Sequence, residues 1–296
     1  MVEKSQIGFI GIGVMGMPMA EQILGKHGAI KVYDVDVGAV AAIVDKGATA
    51  AESPREIGEA CQIVITMLPH PDVLKKIVHG DDGLIGGMRA GSTLIDMSTN
   101  GLEAVQSAAA ALADSGVKVV DAPIGKGPWA AETGDLTILM GGLEADCRAV
   151  EWVFEMMGSK IYYCGPLGAG QAIKLSNNLA SCVNMSVVAE AYALAKAAGA
   201  DLDVLVEVMP QTSADSWQLR QTLIGKVLKG DFEPMFKLGL ARKDMRLIVE
   251  MAEKLGVDVP CARASLGGYD QAVDNGYFDL DWGAVILNSN SELKAD

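Results

Sequence analysis

The chain has 296 residues, 50% of them hydrophobic and only 5% aromatic, so it can form one large domain or two ordinary ones with aliphatic cores. Its formal net charge of −14 argues against a nucleic-acid partner, because binding to phosphates requires clustered Lys and Arg. The sequence predicts neither a secretory signal nor a transmembrane helix. Its five scattered cysteines favour reduced thiols and a cytoplasmic location.

The beginning of the chain has the pattern of a nucleotide-binding turn. An apolar strand over Gln6–Ile10 is followed by the glycine motif Gly11–Gly16 and then by a helical pattern. A second strand, Lys31–Asp34, ends in a carboxylate eighteen residues beyond the last glycine of the motif. A GxGxxG motif between a strand and a helix, with an acid at this distance, is typical of a dinucleotide-binding domain.

Each glycine of this motif has its own predicted role. Gly11 permits a tight turn, Gly13 lets the backbone approach the pyrophosphate, and Gly16 lets the helix pack closely against the strand. The free N–H groups at the helix start then face the phosphates. We therefore assign five residues to the cofactor: Gly11, Gly13, Val14, Met15 and Gly16.

The acid at the end of the second strand predicts which cofactor binds. Asp34 is expected to accept hydrogen bonds from the adenosine ribose hydroxyls. It is followed by Val35 and Asp36 rather than by an arginine that could hold a 2′-phosphate. Two acids at this place would repel NADP, so we predict NAD.

Further apolar runs predict strands that continue the α/β alternation: Gln62–Pro69 (a strand that runs into a loop), Ser92–Asp96, Val117–Pro123 and Leu136–Met140. Ligands of open α/β sheets bind at the carboxyl ends of the strands. We therefore expect Leu68, Pro69, Ser98, Thr99 and the loop after Pro123 to meet the cofactor or the substrate.

The second half of the chain is predicted to be helical. A long helix carries Lys174 and continues to about Ala198, and four more follow: Leu202–Met209, Ser216–Leu228, Phe236–Leu255 and Ala262–Asn275. The predicted fold class is thus α/β, with a Rossmann dinucleotide-binding domain in residues 1–164 and an all-α domain for substrate binding and oligomerisation in residues 165–296.

The long helix carries one charge in an apolar setting. Lys174 is the only charged residue between Ile161 and Ala189, and the helix has apolar residues almost all the way round, which is typical of a buried helix. One polar stripe at helical spacing interrupts this pattern: Gln171, Lys174, Asn177, Asn178 and Ser181. A solvent-facing stripe would normally carry several charges, so we interpret this one as the wall of a pocket.

Lys174 is also the best candidate for proton transfer. His27, His70 and His79 have no evident partners, and no cluster of residues has metal-ligand spacing, so we predict no metal. Tyr192 and Lys196 have the spacing of the short-chain dehydrogenase dyad, but the glycine motif is of another type and no hydroxyl residue stands thirteen positions earlier.

Four segments together resemble the signatures of the β-hydroxyacid dehydrogenase family, in order and over nearly the whole chain: Gly8–Gly16, Asp121–Pro123, Gly168–Asn178 and Phe236–Asp244. The family includes 3-hydroxyisobutyrate dehydrogenases, tartronate semialdehyde reductases and sulfolactaldehyde reductases. The resemblance implies that Lys174 is the catalytic acid/base, assisted by Asn178. It further implies that Thr99 and Lys243 contact the cofactor and that Lys243 pairs with Asp244.

The chain departs from the family after Asp121–Pro123. Most members carry a Val-Ser-Gly-Gly run there that holds the substrate carboxylate, whereas this chain has Ile124, Gly125, Lys126 and Gly127. Lys126 is either a solvated loop residue or the partner of the substrate's anionic group, and sulfolactaldehyde reductases look similar, with a Gly-Arg pair here and a serine that matches Ser181.

The sequence thus predicts NAD-dependent hydride transfer to or from a short anionic 3-hydroxy acid, with sulfolactaldehyde as one candidate substrate. Ser98, Gly125, Lys126, Gly127, Lys174, Asn177, Asn178 and Ser181 are assigned to the substrate. Alternatives are 3-hydroxyisobutyrate dehydrogenase, tartronate semialdehyde reductase and, from another class, a non-catalytic dinucleotide-binding module. A homodimer or homotetramer is expected, without nucleic-acid or membrane partners.

Overall fold

The structure is a computed structural model that describes residues 6–293. The chain divides into two compact units, of which the first ends at Lys174 and the second begins at Leu175. The division lies inside the long helix rather than after residue 164, the predicted boundary. The reason is that backbone N–H groups at the start of this helix donate hydrogen bonds to Asp121 of the first unit.

The first unit contains a mixed sheet, with nine strands among the described residues: β1 (Ile7–Ile10), β2 (Lys31–Tyr33), β3 (Thr49–Ala50), β4 (Ile63–Thr66), β5 (Thr93–Asp96), β6 (Lys118–Asp121), β7 (Ile124–Gly125), β8 (Leu136–Gly141) and β9 (Gly158–Gly165). Every residue of β1, β4 and β5 is buried. Central parallel strands are covered on both faces, which explains why these segments are continuous apolar runs.

The order of the strands places the loop after β1 beside the loop after β4. The first six strands are parallel in the order β3-β2-β1-β4-β5-β6, so the strand order reverses between β1 and β4. Ligands of doubly wound sheets bind at this switch point, beyond the carboxyl ends of the strands. Beyond β6 the sheet continues with β8, which is antiparallel to β6 and β7 and parallel to β9.

Helices cover both faces of this sheet: α1 (Gly16–His27), α2 (Val37–Val44), α3 (Pro54–Ala60), α4 (Pro71–His79), α5 (Leu102–Leu112), α6 (Pro128–Glu132) and α7 (Glu144–Phe154). Two apolar cores result, one that contains Phe9 and Phe154 and one that contains Ile10 and Leu94. The next helix, α8 (Ala169–Ala197), begins in the first unit and continues into the second.

The described part of the second unit has no strand and one apolar core. Besides α8 it contains α9 (Leu202–Val208), α10 (Leu238–Leu255) and α11 (Pro260–Asp274), with 3-10 turns at Met209–Gln211, Val227–Lys229, Trp282–Asn288 and Ser291–Leu293 and a π-helical segment at Gln218–Ile224. A doubly wound sheet followed by an all-helical unit is the predicted fold class, which is confirmed.

Three predicted helices differ from those observed. The predicted Ser216–Leu228 helix is a π-helical segment that ends before Gly225 and a separate 3-10 turn. The predicted Phe236–Leu255 helix begins at Leu238, because Lys237 is extended and bridges to Asp281. The long helix is not buried all round, since Ile173, Val187 and Leu194 are 45%, 54% and 74% exposed.

Candidate functional site

The glycine loop after β1 has the shape of a phosphate cradle. Gly11 has φ +101°, and a side chain there would collide with the carbonyl oxygen of Met67 at the end of β4. A side chain at Gly16 would collide with the carbonyl of Gly11, so both glycines are required by close packing. Gly13, in contrast, is exposed and faces open space, as a backbone approached by a pyrophosphate should be.

The remaining loop residues and Asp34 fit this interpretation. Val14 is 72% exposed, and Met15 is the N-cap of α1, a helix start to which its N-cap side chain makes no capping hydrogen bond. Asp34 follows β2 and accepts hydrogen bonds from the backbone of Ile12, at 2.5 Å, and of Asp36, at 2.9 Å. The carboxylate is thereby fixed beside the glycine loop, where a ribose would lie. The residues therefore fit a bound dinucleotide.

The side chain of Asp36 has a second role that the sequence did not suggest. Its carboxylate caps α2 by accepting hydrogen bonds from Gly38 and Ala39, at 2.9 and 3.2 Å. These two hydrogen bonds orient the Asp36 carboxylate, a second negative charge next to Asp34, without neutralising it. The charge pattern on which the prediction of NAD rests is therefore present in the fold.

The ends of β4 and β5 are joined through Ser98. Its hydroxyl donates to Asp96, at 2.6 Å, and accepts from the backbone of Leu68, at 2.8 Å. Ser98 is fully buried, so the structure gives its hydroxyl a role in holding the strand ends together rather than an open position for the substrate. Leu68 is buried as well, whereas Pro69 is exposed and Thr99 is partly exposed at the same edge.

Two buried carboxylates lie at the ends of neighbouring strands, and sequence reasoning assigned a role to neither of them. Asp96 ends β5 and accepts hydrogen bonds from Thr66, Ser98 and Asn100. Burial raises its pKa above the ordinary value, although these hydrogen bonds oppose the shift. Asp121 ends β6, and its pKa is raised to about 6, chiefly by burial and further by the charge of Asp96.

Asp121 binds the start of α8. Its two carboxylate oxygens accept hydrogen bonds from the backbone N–H groups of Gly168, at 2.7 Å, and Gln171, at 2.8 Å. These are N–H groups at a helix start, which have no partner inside the helix. An acid that ends an apolar strand was the available signal for Asp121, but its partners lie 47 and 50 residues further along the chain.

The polar stripe on α8 is only partly buried. Gln171 and Asn178 are buried, Lys174 and Ser181 are partly exposed, and Asn177 is exposed. Lys174, the only charged residue between Ile161 and Ala189, therefore lies at a position that is neither sealed nor fully solvated. This is a suitable environment for a group that must exchange a proton with a ligand.

The second unit holds Asn178 through a buried acid. Asp244, on α10, is 2% exposed and accepts a hydrogen bond of 2.6 Å from the side-chain amide of Asn178. Its other oxygen lies 2.9 Å from the Lys243 ammonium, so the expected Lys243–Asp244 pair is present. The side-chain oxygen of Asn178 accepts from Asn177 at 3.2 Å. Asn178 is thus fixed in one orientation.

The ammonium group of Lys126 is paired with Asp135. Its Nζ donates to the carbonyl and to a carboxylate oxygen of Asp135, at 2.7 and 2.5 Å, and lies 5.7 Å from the Trp129 ring centre. Among residues 6–293 it is the only non-glycine residue with positive φ, at 71°. Gly125 and Gly127 flank it and are partly exposed.

The described part of the chain shows neither a cluster of metal-ligating residues nor a membrane-spanning helix. Between residues 6 and 293, no group of three or more His, Cys, Asp or Glu is placed to hold a metal ion. Over the same residues, no helix combines the length and the apolar character needed to cross a membrane.

Comparison with known proteins identifies the family. Residues 6–165 match the profile of the NAD-binding domain of 6-phosphogluconate dehydrogenase, and residues 168–287 match the NAD-binding profile of NADP-dependent 3-hydroxyisobutyrate dehydrogenase. The chain is 35% identical to 3-sulfolactaldehyde reductase of Escherichia coli K12 over 95% of its own length and 94% of the relative's. It is 32% identical to 2-(hydroxymethyl)glutarate dehydrogenase of Eubacterium barkeri, over 96% and 95% of the two chains.

Solved structures agree with the sequence relatives. The structure of Mycobacterium tuberculosis 3-hydroxyisobutyrate dehydrogenase with L-serine superimposes with a TM-score of 0.87 at 28% identity, covering 97% of this chain and 99% of that one. The predicted oxidoreductase activity on CH–OH groups and the NAD cofactor are confirmed by these matches. The chain belongs to the β-hydroxyacid dehydrogenase family.

Proposed function

We propose that this protein reversibly reduces a short semialdehyde that carries a second, anionic group, with Lys174 as the catalytic acid/base. The observation that carries the proposal is the position of Lys174: the only charge of its helix segment, on the turn that follows the anchored start of α8. Retention of this lysine also speaks against a non-catalytic dinucleotide-binding module, which would have no use for a proton donor.

The chemistry requires a hydride and a proton. NADH supplies the hydride when it is bound, and the glycine loop and Asp34 are the residues that would hold it. Lys174 gives a proton to the substrate oxygen during reduction, and its neutral amine takes the hydroxyl proton during oxidation. We assign Thr99 and Lys243 to the cofactor as well, and the partly exposed Ser181 to the substrate.

Asn178 is the proposed partner of Lys174 in binding the substrate oxygen. The two residues are four positions apart on α8 and so project from the same face of the helix. One amide hydrogen of Asn178 is donated to Asp244, which leaves the second for a ligand. Because Asp244 also fixes the orientation of this amide, the donor is positioned before the substrate binds.

The anionic group of the substrate is assigned to the loop Gly125–Gly127. An ammonium group has three donors, and Asp135 takes two from Lys126, so one remains for an anion. Sulfonate is our first candidate, because sulfonate oxygens are weak acceptors and gain mainly from a nearby positive charge, and because a 35% identical relative is named 3-sulfolactaldehyde reductase. The carboxylates tartronate semialdehyde and methylmalonate semialdehyde are the alternatives.

A steady-state screen of NADH oxidation with four aldehydes tests this proposal: sulfolactaldehyde, tartronate semialdehyde, methylmalonate semialdehyde and succinate semialdehyde. We expect the highest kcat/KM for sulfolactaldehyde. A higher value for a carboxylate semialdehyde would replace the substrate and leave the roles of Lys174 and Asn178 intact. Activity on none of the four would refute the proposed substrate class.

We also propose that the protein is a cytoplasmic homodimer or homotetramer. All five cysteines are free thiols, as expected for a reducing compartment. Four exposed residues of α8 stand seven positions apart and share one helix face: Ile173, Ala180, Val187 and Leu194. Such a seam favours packing against another protein surface. Light scattering after gel filtration measures the oligomeric state, and Val187→Lys should shift it toward the monomer.

A further inference from the structure

The side chain of Gln171 connects α8 to the segment that follows β5. Its amide oxygen accepts hydrogen bonds from the backbone N–H groups of Asn100, at 3.1 Å, and Gly101, at 3.0 Å. Its amide nitrogen donates to the carbonyl of Ser98, at 2.8 Å. The side chain is fully buried, so these three hydrogen bonds are made away from solvent and removing them leaves buried backbone groups without partners.

The backbone of Gln171 is fixed independently of its side chain. Its N–H group donates to Asp121, which also binds Gly168, so the end of β6 holds the first turn of α8. The side chain adds a lateral connection to the segment Ser98–Gly101. Main-chain bonds to β6 and side-chain bonds to the segment after β5 together fix both the position and the rotation of this turn.

Lys174 lies three residues after Gln171, and therefore projects from the same face one turn later. Thr99 lies inside the segment that the Gln171 amide holds. One buried amide, that of Gln171, thus connects the helix turn that carries Lys174, which we assign to proton transfer, to the segment that carries Thr99, which we assign to the cofactor. A displacement of about 1 Å between reacting groups can cost about 10²-fold in rate.

We propose that Gln171 is a positioning residue, whose amide keeps the Lys174 turn of α8 at a fixed distance and rotation relative to the Ser98–Gly101 segment. This inference rests on the proposed role of Lys174. It assigns to Gln171 no contact with substrate or cofactor, and its effect on catalysis is exerted through Lys174 and Thr99.

The first test is Gln171→Met, which keeps the length of the side chain and removes all three hydrogen bonds. We expect kcat to fall by about 10²-fold, while the Kd for NADH, measured by fluorescence, changes less than about threefold because the glycine loop and Asp34 are untouched. Gln22→Met is the matched control, since it removes a hydrogen bond that the side-chain amide of Gln22, on α1, donates to the carbonyl of Glu132 in the same unit. It should leave kcat unchanged.

The second test uses Gln171→Glu to separate positioning from folding. A protonated glutamic acid reproduces the amide, because its carbonyl oxygen accepts from Asn100 and Gly101 and its O–H group donates to Ser98. An ionised one places a bare oxygen against the Ser98 carbonyl. Burial and the nearby Asp96 and Asp121 favour the protonated form at mildly acid pH, and Lys174 opposes them.

We therefore expect kcat of Gln171→Glu to approach that of the wild type near about pH 5.5 and to fall about tenfold or more below it near about pH 8.5. A merely structural amide would change the melting temperature with pH but not the kcat of the folded enzyme. A profile parallel to that of the wild type, or a Gln171→Met enzyme with full kcat, would overturn the proposal.

Lys174→Ala separates this inference from the proposed function. Any aldehyde that the wild type reduces serves for the assay, so the choice between sulfonate and carboxylate does not affect it. If Lys174→Ala keeps its turnover, both the proton donor and its positioning residue are wrongly assigned. If Lys174→Ala is inactive and Gln171→Met is active, only the role of Gln171 is refuted.

Discussion

The start of α8 lies in a signature segment of the family and the loop Gly125–Gly127 follows another, yet the two regions are built in opposite ways. At the start of α8, the side chains of Gln171 and Asp121 are buried and are hydrogen-bonded to backbone groups of two segments, Ser98–Gly101 and Gly168–Gln171. In the loop, Lys126 is in a left-handed conformation and is held by one pair with the partly exposed Asp135.

This difference corresponds to two different tasks. Proton transfer is common to every reaction of the family and requires fixed geometry, which a network of buried hydrogen bonds provides. Selection of one substrate among several needs a segment that can change residue by residue without loss of the fold, and exposed loops provide it. We therefore expect variants at the first region to change turnover and variants at the second to change substrate affinity.

The largest expected effect is that of Lys174→Ala. It should lower kcat by about 10²-fold or more, the usual contribution of a positioned acid/base, while NADH binding is unchanged. Lys196→Ala is the matched control, because Lys196 is on the same helix but forms a surface pair with Glu292. If Lys174→Ala keeps more than about a third of wild-type turnover with chemistry rate-limiting, the assignment is wrong.

The parts of the fold that the sequence predicted are those with a local cause. Buried strands appear as apolar runs, and the glycine motif identifies the turn after β1. Thr49–Ala50 and Ile124–Gly125 are too short to give a pattern, and their pairing depends on neighbouring strands. The bond between Gln171 and Asn100 joins residues 71 positions apart, so the sequence identifies a polar stripe but not its partners.

Asp121 gives a pH-dependent test of the buried region. Its pKa is about 6 in the folded protein and 3.8 in the unfolded chain, so the folded protein binds this proton more tightly. The free-energy cost of ionising Asp121 is absent below about pH 3.8, grows up to about pH 6 and is constant above it. It amounts to about 2–3 kcal/mol.

The measurement is chemical denaturation of the wild type and of Asp121→Asn at several pH values. The stability of the wild type relative to the variant should decrease as pH rises from about 4 to about 6. The lost acceptor for Gly168 or Gln171 adds an offset that does not depend on pH. Asp114→Asn, which removes an exposed carboxylate, is the control. A difference that is constant with pH would contradict the assignment.

A smaller effect is expected for the choice of cofactor. Asp34 and Asp36 place two negative charges where the 2′-phosphate of NADP would lie, so kcat/KM should favour NAD by about tenfold or more. Asp36→Ser removes one charge but can still cap α2, and should reduce the preference several-fold without unfolding the helix. A preference of wild type for NADP would refute the role of these acids.

The smallest effect, and the sharpest test of the exposed loop, comes from two substitutions of Lys126. Both Lys126→Ala and Lys126→Gly remove the ammonium group, so both should raise KM for an anionic substrate by about tenfold, with less effect on an uncharged aldehyde of similar size.

The two variants should differ in stability, because alanine keeps a Cβ in the left-handed conformation at φ 71° and glycine does not. The free energy of unfolding of Lys126→Gly should exceed that of Lys126→Ala by about 1 kcal/mol. Equal KM values for the wild type and both variants would mean that Lys126 pairs only with Asp135 and not with the substrate. Equal stability of the two variants would mean that the loop relaxes around any side chain. If KM rises equally in both while stability differs, the charge of Lys126 selects the substrate and its backbone strain is a separate cost of placing a lysine where most of the family carries glycine.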